Sequence, residues 1–283
     1  MFMSNPFSEL SEFITPAVMQ GYVILMILMV IGGTILDMIH KKSAQYFFEN
    51  AEKAKKSAKH DVSGGEKAGI ALKVLANEVL TSGEFCNTKR RLSHLLTMYG
   101  FILFVIATAV MIFKYPTAGA ATPDLWPLIW HVGALMLAVG GYWFWFGIRV
   151  DVSAEGLPWF RLEQGDIFIL SLLATSTFAL LWSFAQSSGI AGWTTLFFIL
   201  FVISTTMLFS TVLWSKFAHM FFKPAAAFQK RVTRADGSRE NLPGDFDLTD
   251  PAVQAKFPDI PEYMGKNPPD MGPGIRRESP NHY

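Results

Sequence analysis

One cysteine, Cys86, is all the thiol this 283-residue chain contains. That excludes an internal disulfide, and it excludes an iron–sulfur cluster ligated by this chain alone, since such clusters take about four thiolates. No C-x-x-C-H run is present, so covalent c-type haem is excluded too. Lys and Arg are missing from residues 1–16 and from 186–192, and no charge of either sign falls between Trp193 and Leu213. The first apolar run has no basic stretch ahead of it and is long enough to remain in a bilayer, so no cleaved signal peptide is expected. There is no internal repeat and no matched pair of Gly/Pro-broken apolar segments, which weighs against a small transporter or channel.

What the chain does have is apolar surface. It is 51% hydrophobic and 14% aromatic, with mean hydropathy +0.30, too apolar for an ordinary soluble domain of this length. Five apolar runs stand out, at about 17–39, 95–113, 125–148, 167–185 and 193–217. Each is ~19 residues or longer, the length of a spanning helix. Only helices and closed barrels satisfy the backbone in lipid, and a barrel would show strands of ~10 alternating residues. The expected fold is all-α, an integral membrane bundle of five transmembrane helices. It divides into residues 1–16, a membrane domain 17–223 with the loop 40–94, and a tail 224–283.

Charge sets the expected orientation. Loop 40–94 carries eleven Lys and Arg, Arg149 and Arg161 lie in loop 149–166, and nine more follow Phe217; the other side has only Lys114. The positive-inside rule places the N-terminus outside and the C-terminus in the cytoplasm. Tyr142, Trp143, Trp145, Trp182, Trp193 and Trp214 lie towards helix ends, as interfacial aromatic belts do.

The loop and tail have characters of their own. Residues 44–59 are rich in alanine and lysine, and Ser63-Gly64-Gly65 breaks that helical composition. Residues 66–80 space Ile70, Leu72, Val74, Leu75, Val79 and Leu80 near a helical period, as in a helix on a membrane surface or a docking face. Pro224 marks a natural helix stop, and eight prolines after residue 225 argue for an extended tail. Its Phe246, Phe257, Tyr263, Met264 and Met271 suggest an arm that orders on a partner.

Six histidines are present. His60 and His282 read as solvated. His40, His94 and His219 lie at the basic ends of the first, second and fifth runs, and His131 lies near the opposite face. An intramembrane histidine is costly unless it is paired, hydrated or bound to a cofactor. A b-type haem needs two imidazoles from facing helices at one depth. His94, after Lys89-Arg90-Arg91, and His219, between Lys216 and Lys223, meet the depth condition, and those cations suit haem propionates. Interfacial histidine and haem ligand remain the two readings of this pattern. His131 is a candidate for a quinone carbonyl or an interhelical contact. Asp37 and His40 are a candidate proton relay or an interfacial pair, Asp166 reads as a helix cap, and Cys86 as a redox thiol or a small hydrophobe.

Two runs carry a resemblance. Arg91-Leu-Ser-His94-Leu-Leu-Thr-Met-Tyr-Gly100-Phe101 resembles the second helix of the respiratory nitrate reductase gamma-subunit superfamily. That superfamily includes the membrane cytochromes of heterodisulfide reductase-like and quinone-interacting oxidoreductase complexes. Ser215-Lys-Phe-Ala-His219-Met-Phe-Phe-Lys-Pro224, with Phe228 and Lys230-Arg231, resembles the end of its fifth helix. The resemblance implies one haem b held by His94 and His219. The superfamily's second haem would need histidines near Phe104 and Phe201, so it is expected to be missing. The length, the loop around Cys86 and the proline-rich tail most resemble the subunits that accompany adenylylsulfate reductase in sulfur-oxidising bacteria.

The resemblance implies a multi-pass subunit of the bacterial inner membrane that passes electrons between a cytoplasmic flavin and iron–sulfur oxidoreductase and the quinone pool. Such a subunit is itself non-catalytic or quinone-reactive, and no nucleic acid partner is expected. The partner would dock on loop 40–94 and tail 224–283. A haem-free anchor that only docks the enzyme is the alternative.

Overall fold

A computed structural model describes residues 2–83, 85, 87–151, 156–214, 219–239 and 249–264, with side chains withheld at Ser43, Ala44, His219, Phe221, Ile260, Tyr263 and Met264. Among these residues all regular structure is helical. Five helices are long and apolar enough to cross a membrane: Pro16–His40, Thr88–Lys114, Leu125–Ile148, Gln164–Ser187 and Ala191–Ser210. In chain order the α-helices are α1 (Pro6–Leu10), α2 (Pro16–His40), α3 (Ser43–Lys56), α4 (Gly64–Val74), α5 (Thr88–Lys114), α6 (Leu125–Trp143), α7 (Ile167–Ser187), α8 (Ala191–Ser210), α9 (His219–Ala235), α10 (Pro251–Lys256) and α11 (Asp259–Met264). The chain forms two units, one of residues 1–44 and 87–220 and one of residues 45–86 and 221–283.

The first unit is the spanning bundle, and small residues set its closest approach. Ser93, Gly100 and Ala107 recur at every seventh position of α5, all buried; Gly133 and Gly140 share that spacing on α6. A Cβ on Gly100 would lie 2.7 Å from the Leu137 nitrogen, and one on Gly140 would lie 2.6 Å from Thr97 Oγ1. The backbones therefore touch, and Ser93 Oγ donates to the Gly140 carbonyl at 2.8 Å. Lipid gives helices no hydrophobic reason to associate, so close contact through small residues and hydroxyl bonds takes over that role. Along α7 and α8, Ser171, Ser176, Ser204 and Thr205 are buried in the same manner.

Two expected helix ends shift. Asn87 caps α5, accepting from the amides of Lys89 and Arg90, so the helix starts at Thr88 and His94 lies well inside it rather than opening it. The fifth span ends at Ser210, short of the expected Phe217: Thr211 Oγ1 takes the Met207 carbonyl at 2.7 Å, and Val212 packs where a Gly33 Cβ would be 2.9 Å from its own. Pro224 is not a stop, because it lies inside α9. Having no N–H, it cannot donate to the Met220 carbonyl four residues earlier. Two of the expected belt aromatics are interior, Trp145 at 4% and Trp182 at 0% exposure. Trp145 lies under the Arg149 guanidinium at 4.4 Å, and Trp182 stacks on Phe201 at 5.6 Å.

The second unit joins the long loop to the start of the tail. Residues 225–235, expected as extended chain, belong to α9. No proline falls between Pro224 and Pro243, and this stretch is made of helix formers. Within the unit, Arg231 Nε donates to Glu78 Oε1 at 2.7 Å and Gln229 Nε2 to the Phe47 carbonyl at 3.2 Å. The amides of Lys59 and His60 bond the Asp236 carbonyl at the end of α9. Ser63 is an N-cap, accepting from the Glu66 amide at 3.2 Å, so Ser63-Gly64-Gly65 begins α4 rather than breaking α3, which already ends at Lys56.

Candidate functional site

The alternation of the spans puts the ends of α2, α6 and α8 with the starts of α5 and α7, and the contacts between Ser93 and Gly140 and between Gly33 and Val212 fit this. This is the basic end, and it collects the charges of the bundle interior. Among the described residues of this unit, the buried ionic side chains are Asp37, Arg149 and Asp166, besides the ring of His131.

Arg149, fully buried, is the most heavily engaged. Its Nη2 donates to Asp166 Oδ2 and to the Arg161 carbonyl, both at 2.6 Å. Its Nη1 donates to the carbonyls of Pro158 at 2.7 Å and Leu157 at 3.3 Å. Asp166 Oδ2 also accepts from the Glu163 amide at 2.8 Å. Asp166 stands at the N-cap of α7 but makes no side-chain cap bond there; it closes an ion pair between the residue that follows the third span and the start of α7. A buried pair is tolerable when its remaining hydrogen-bonding capacity is used, as here. The sequence signal for Arg149 is a lone cation closing one apolar run with an acid opening the next.

Asp37 and His40 are not brought together. Asp37 is 1% exposed and faces inward, and Lys41 Nζ lies 2.6 Å from its Oδ1, while His40 is exposed. Spacing of i, i+4 on the helix favours the lysine.

His94 is half-buried on α5, one position from the buried Ser93. His219 is the first residue of α9; its side chain and residues 215–218, Lys216 among them, lie outside the description, as do Cys86, His282 and Met271. Deeper in the bundle, Phe101 of α5 meets Phe209 of α8 with ring centroids 6.3 Å apart. Phe104 meets Phe201 edge-on at 6.3 Å and stacks on Trp130 at 5.1 Å. Phenylalanine rings therefore fill the space between α5 and α8 from Phe101 inward. From His94 to Phe101 the helix rises ~10 Å at 1.5 Å per residue. His94 is thus a half-buried imidazole with phenylalanine rings farther along α5, and the side chain of His219, the second imidazole that a b-type haem would need, lies outside the description.

The opposite end is closed by the N-terminal segment. The Asn5 carboxamide caps α1 through the Phe7 amide at 3.0 Å and donates to the Tyr115 carbonyl at 3.0 Å. Phe7 inserts between Trp130 and Trp182, with centroids at 5.7 and 5.3 Å, and Phe2 lies on His131 at 5.0 Å. His131 is fully buried. Its Nδ1 is 2.7 Å from the Pro127 carbonyl and its Nε2 is 2.7 Å from Ser183 Oγ. A carbonyl only accepts, so Nδ1 carries the proton and Nε2 accepts from the serine. Both nitrogens are engaged, and they tie α6 to α7.

In the second unit a groove of about 550 Å³ runs between α4 and α9, lined by Glu66, Ile70, Lys73, Arg231 and Arg234 among others. Beside it, burial and the neighbouring Arg234 and Arg231 hold the Lys230 ammonium below its ordinary pKa, with Glu78 opposing. Among the described residues no group of three His, Cys, Asp or Glu is placed to hold a metal ion. No family model matches the chain, and no match was found among curated proteins or solved structures.

Proposed function

We propose that this protein is a membrane anchor and electron-carrying subunit, joining a cytoplasmic flavin and iron–sulfur oxidoreductase to the quinone pool through one haem b. The N-terminus lies outside and the second unit lies in the cytoplasm of a bacterial cell. The placement of His94, half-buried at the basic end of an apolar helix, carries the reading. The resemblance of its flanking residues, and of those around His219, to the nitrate reductase gamma-subunit superfamily supports it. Bound between His94 and His219, a haem would supply a one-electron relay between partner and quinone.

The chain's own residues do the rest. His94 and His219 supply the imidazoles. Phe101 and Phe209 wall off the membrane interior below them, keeping water and a second cofactor out. Lys89, Arg90, Arg91 and Lys216 supply the positive charge that favours propionates and an acidic partner surface. The second unit presents α4, α9 and the basic groove between them to that partner. Adenylylsulfate reductase is the partner implied by the resemblance of the length, the loop around Cys86 and the tail to the subunits that accompany that enzyme.

His131 is not assigned to quinone here, since both its ring nitrogens are already satisfied within the bundle. The test is haem content and reduction: the purified protein should bind one haem per chain, reduced by a quinol analogue. A haem-free preparation from haem-replete cells that still co-purifies with the oxidoreductase would leave an anchor and remove the electron carrier.

A further inference from the structure

The turn between α6 and α7 presents Trp159, Phe160 and Leu162 at 56%, 69% and 64% exposure, with Arg161 between them. Exposed rings on a mobile loop would mean little, but this turn is held. The buried Arg149 guanidinium takes the carbonyls of Leu157, Pro158 and Arg161. The Leu157 amide bonds the Arg149 carbonyl at 3.0 Å, and the Arg161 amide closes a turn on Pro158 at 3.1 Å.

The rings also continue a line that begins on the outside of the spanning bundle. Tyr142 stacks on Phe146 at 6.1 Å, Phe146 meets Trp159 at 6.4 Å, and Trp159 meets Phe160 at 5.6 Å. Tyr142 and Phe146 are exposed residues near the end of a helix long and apolar enough to cross a membrane, on the surface that such a helix would turn to lipid. A turn whose rings stack on that surface lies at the same boundary.

We propose that Leu157–Leu162 is an interfacial lipid anchor. Trp159, Phe160 and Leu162 insert where headgroups meet acyl chains, and Arg161 reaches the phosphate of a phospholipid in the leaflet at the basic end. The chemistry fits each part: indole and phenyl rings favour that boundary, and a guanidinium pairs with phosphate in a fork. Among the described residues, the contact that the Arg161 guanidinium would give up is a long one to Glu163, 3.9 Å. A protein partner is the disfavoured occupant, because it would have to displace lipid from Phe146.

Spin labelling in phospholipid nanodiscs tests this with the whole chain. In a Cys86→Ser background, nitroxides placed by Phe160→Cys and Leu162→Cys should collide with dissolved oxygen more than with a water-soluble nickel chelate. Their oxygen-to-nickel ratio should be several-fold above that of Lys67→Cys, an exposed position of the second unit. Independently, the fluorescence lost on Trp159→Phe should be the part quenched by lipids brominated high on their chains. Nickel access at 160 and 162 equal to that at 67 would overturn the proposal and leave a water-facing protein-docking turn, as would a Trp159 signal untouched by brominated lipid.

Discussion

Replacing Arg149 by methionine is the sharpest test of how the basic end of the bundle is held. Methionine preserves most of the apolar volume beside Trp145 but removes the guanidinium. Asp166 then keeps the Glu163 amide and loses its only described cationic partner, 2.6 Å away. Removing one partner of a buried pair costs about 3–5 kcal/mol, because the other charge is stranded. The released carbonyls of Leu157, Pro158 and Arg161 lie nearer the surface, where water replaces part of the loss, so the stranded carboxylate governs. At about 1.4 kcal/mol per decade this is a change of two to three and a half decades in the folding equilibrium. Unfolding by SDS in mixed micelles, followed by circular dichroism, measures it. The double variant Arg149→Met, Asp166→Asn carries no stranded charge and should recover a large part of the loss. A single variant within about 1 kcal/mol of the parent, or a double variant no better than the single, would show that the stranded carboxylate does not govern.

The remaining expectations concern packing, the plug, pH and docking. Gly100→Ala pushes a Cβ to 2.7 Å from backbone and should cost about 1–3 kcal/mol in the same assay; Gly32→Ala meets nothing within 4 Å and should be neutral or gain up to about 1 kcal/mol from helix propensity. Phe7→Ala removes a 3%-exposed ring and should cost about 3–5 kcal/mol, with a red-shifted tryptophan emission as Trp130 and Trp182 gain water. Because burial lowers the Lys230 pKa, the unfolded chain binds more protons there than the folded one. Stability of the second unit should therefore rise with pH from the lowered folded value up to the ordinary lysine value. Limited proteolysis across that range should show the rise in the parent and a smaller one in Lys230→Gln. Deleting 240–283 should weaken co-purification of the oxidoreductase and leave the helical content of the bundle intact; unchanged co-purification would count against the arm.

The five spans were readable because twenty uncharged apolar residues leave few other structures open to the backbone in lipid. Their ends were less readable, because side-chain caps set them: Asn87 starts α5 early and Thr211 stops α8 early. Between 225 and 235 the chain is helical, against the expectation of an extended tail, because no proline falls between Pro224 and Pro243. The heptad of Ser93, Gly100 and Ala107 was present in the sequence, but small residues in an apolar run register as background until their spacing is counted. Arg149 gave only a lone charge; its partner lay across a turn. The plug of Phe2 and Phe7 had no local signal, because what makes those residues matter is the tryptophan pair and histidine they cover. Of the candidate site, the depth of His94 was legible and the pairing of Asp37 was not, since Asp37–His40 and Asp37–Lys41 differ by one residue on the same helix.

The proposal stands or falls on His94 and His219 holding one iron between them. The visible spectrum of the dithionite-reduced protein, purified from haem-supplied cells, tests it most directly. Sharp low-spin bands should appear, be lost in His94→Ala and in His219→Ala, and be kept in His131→Ala; bands that survive both of the first two variants, or no bands in the parent, would rule out a haem between these histidines.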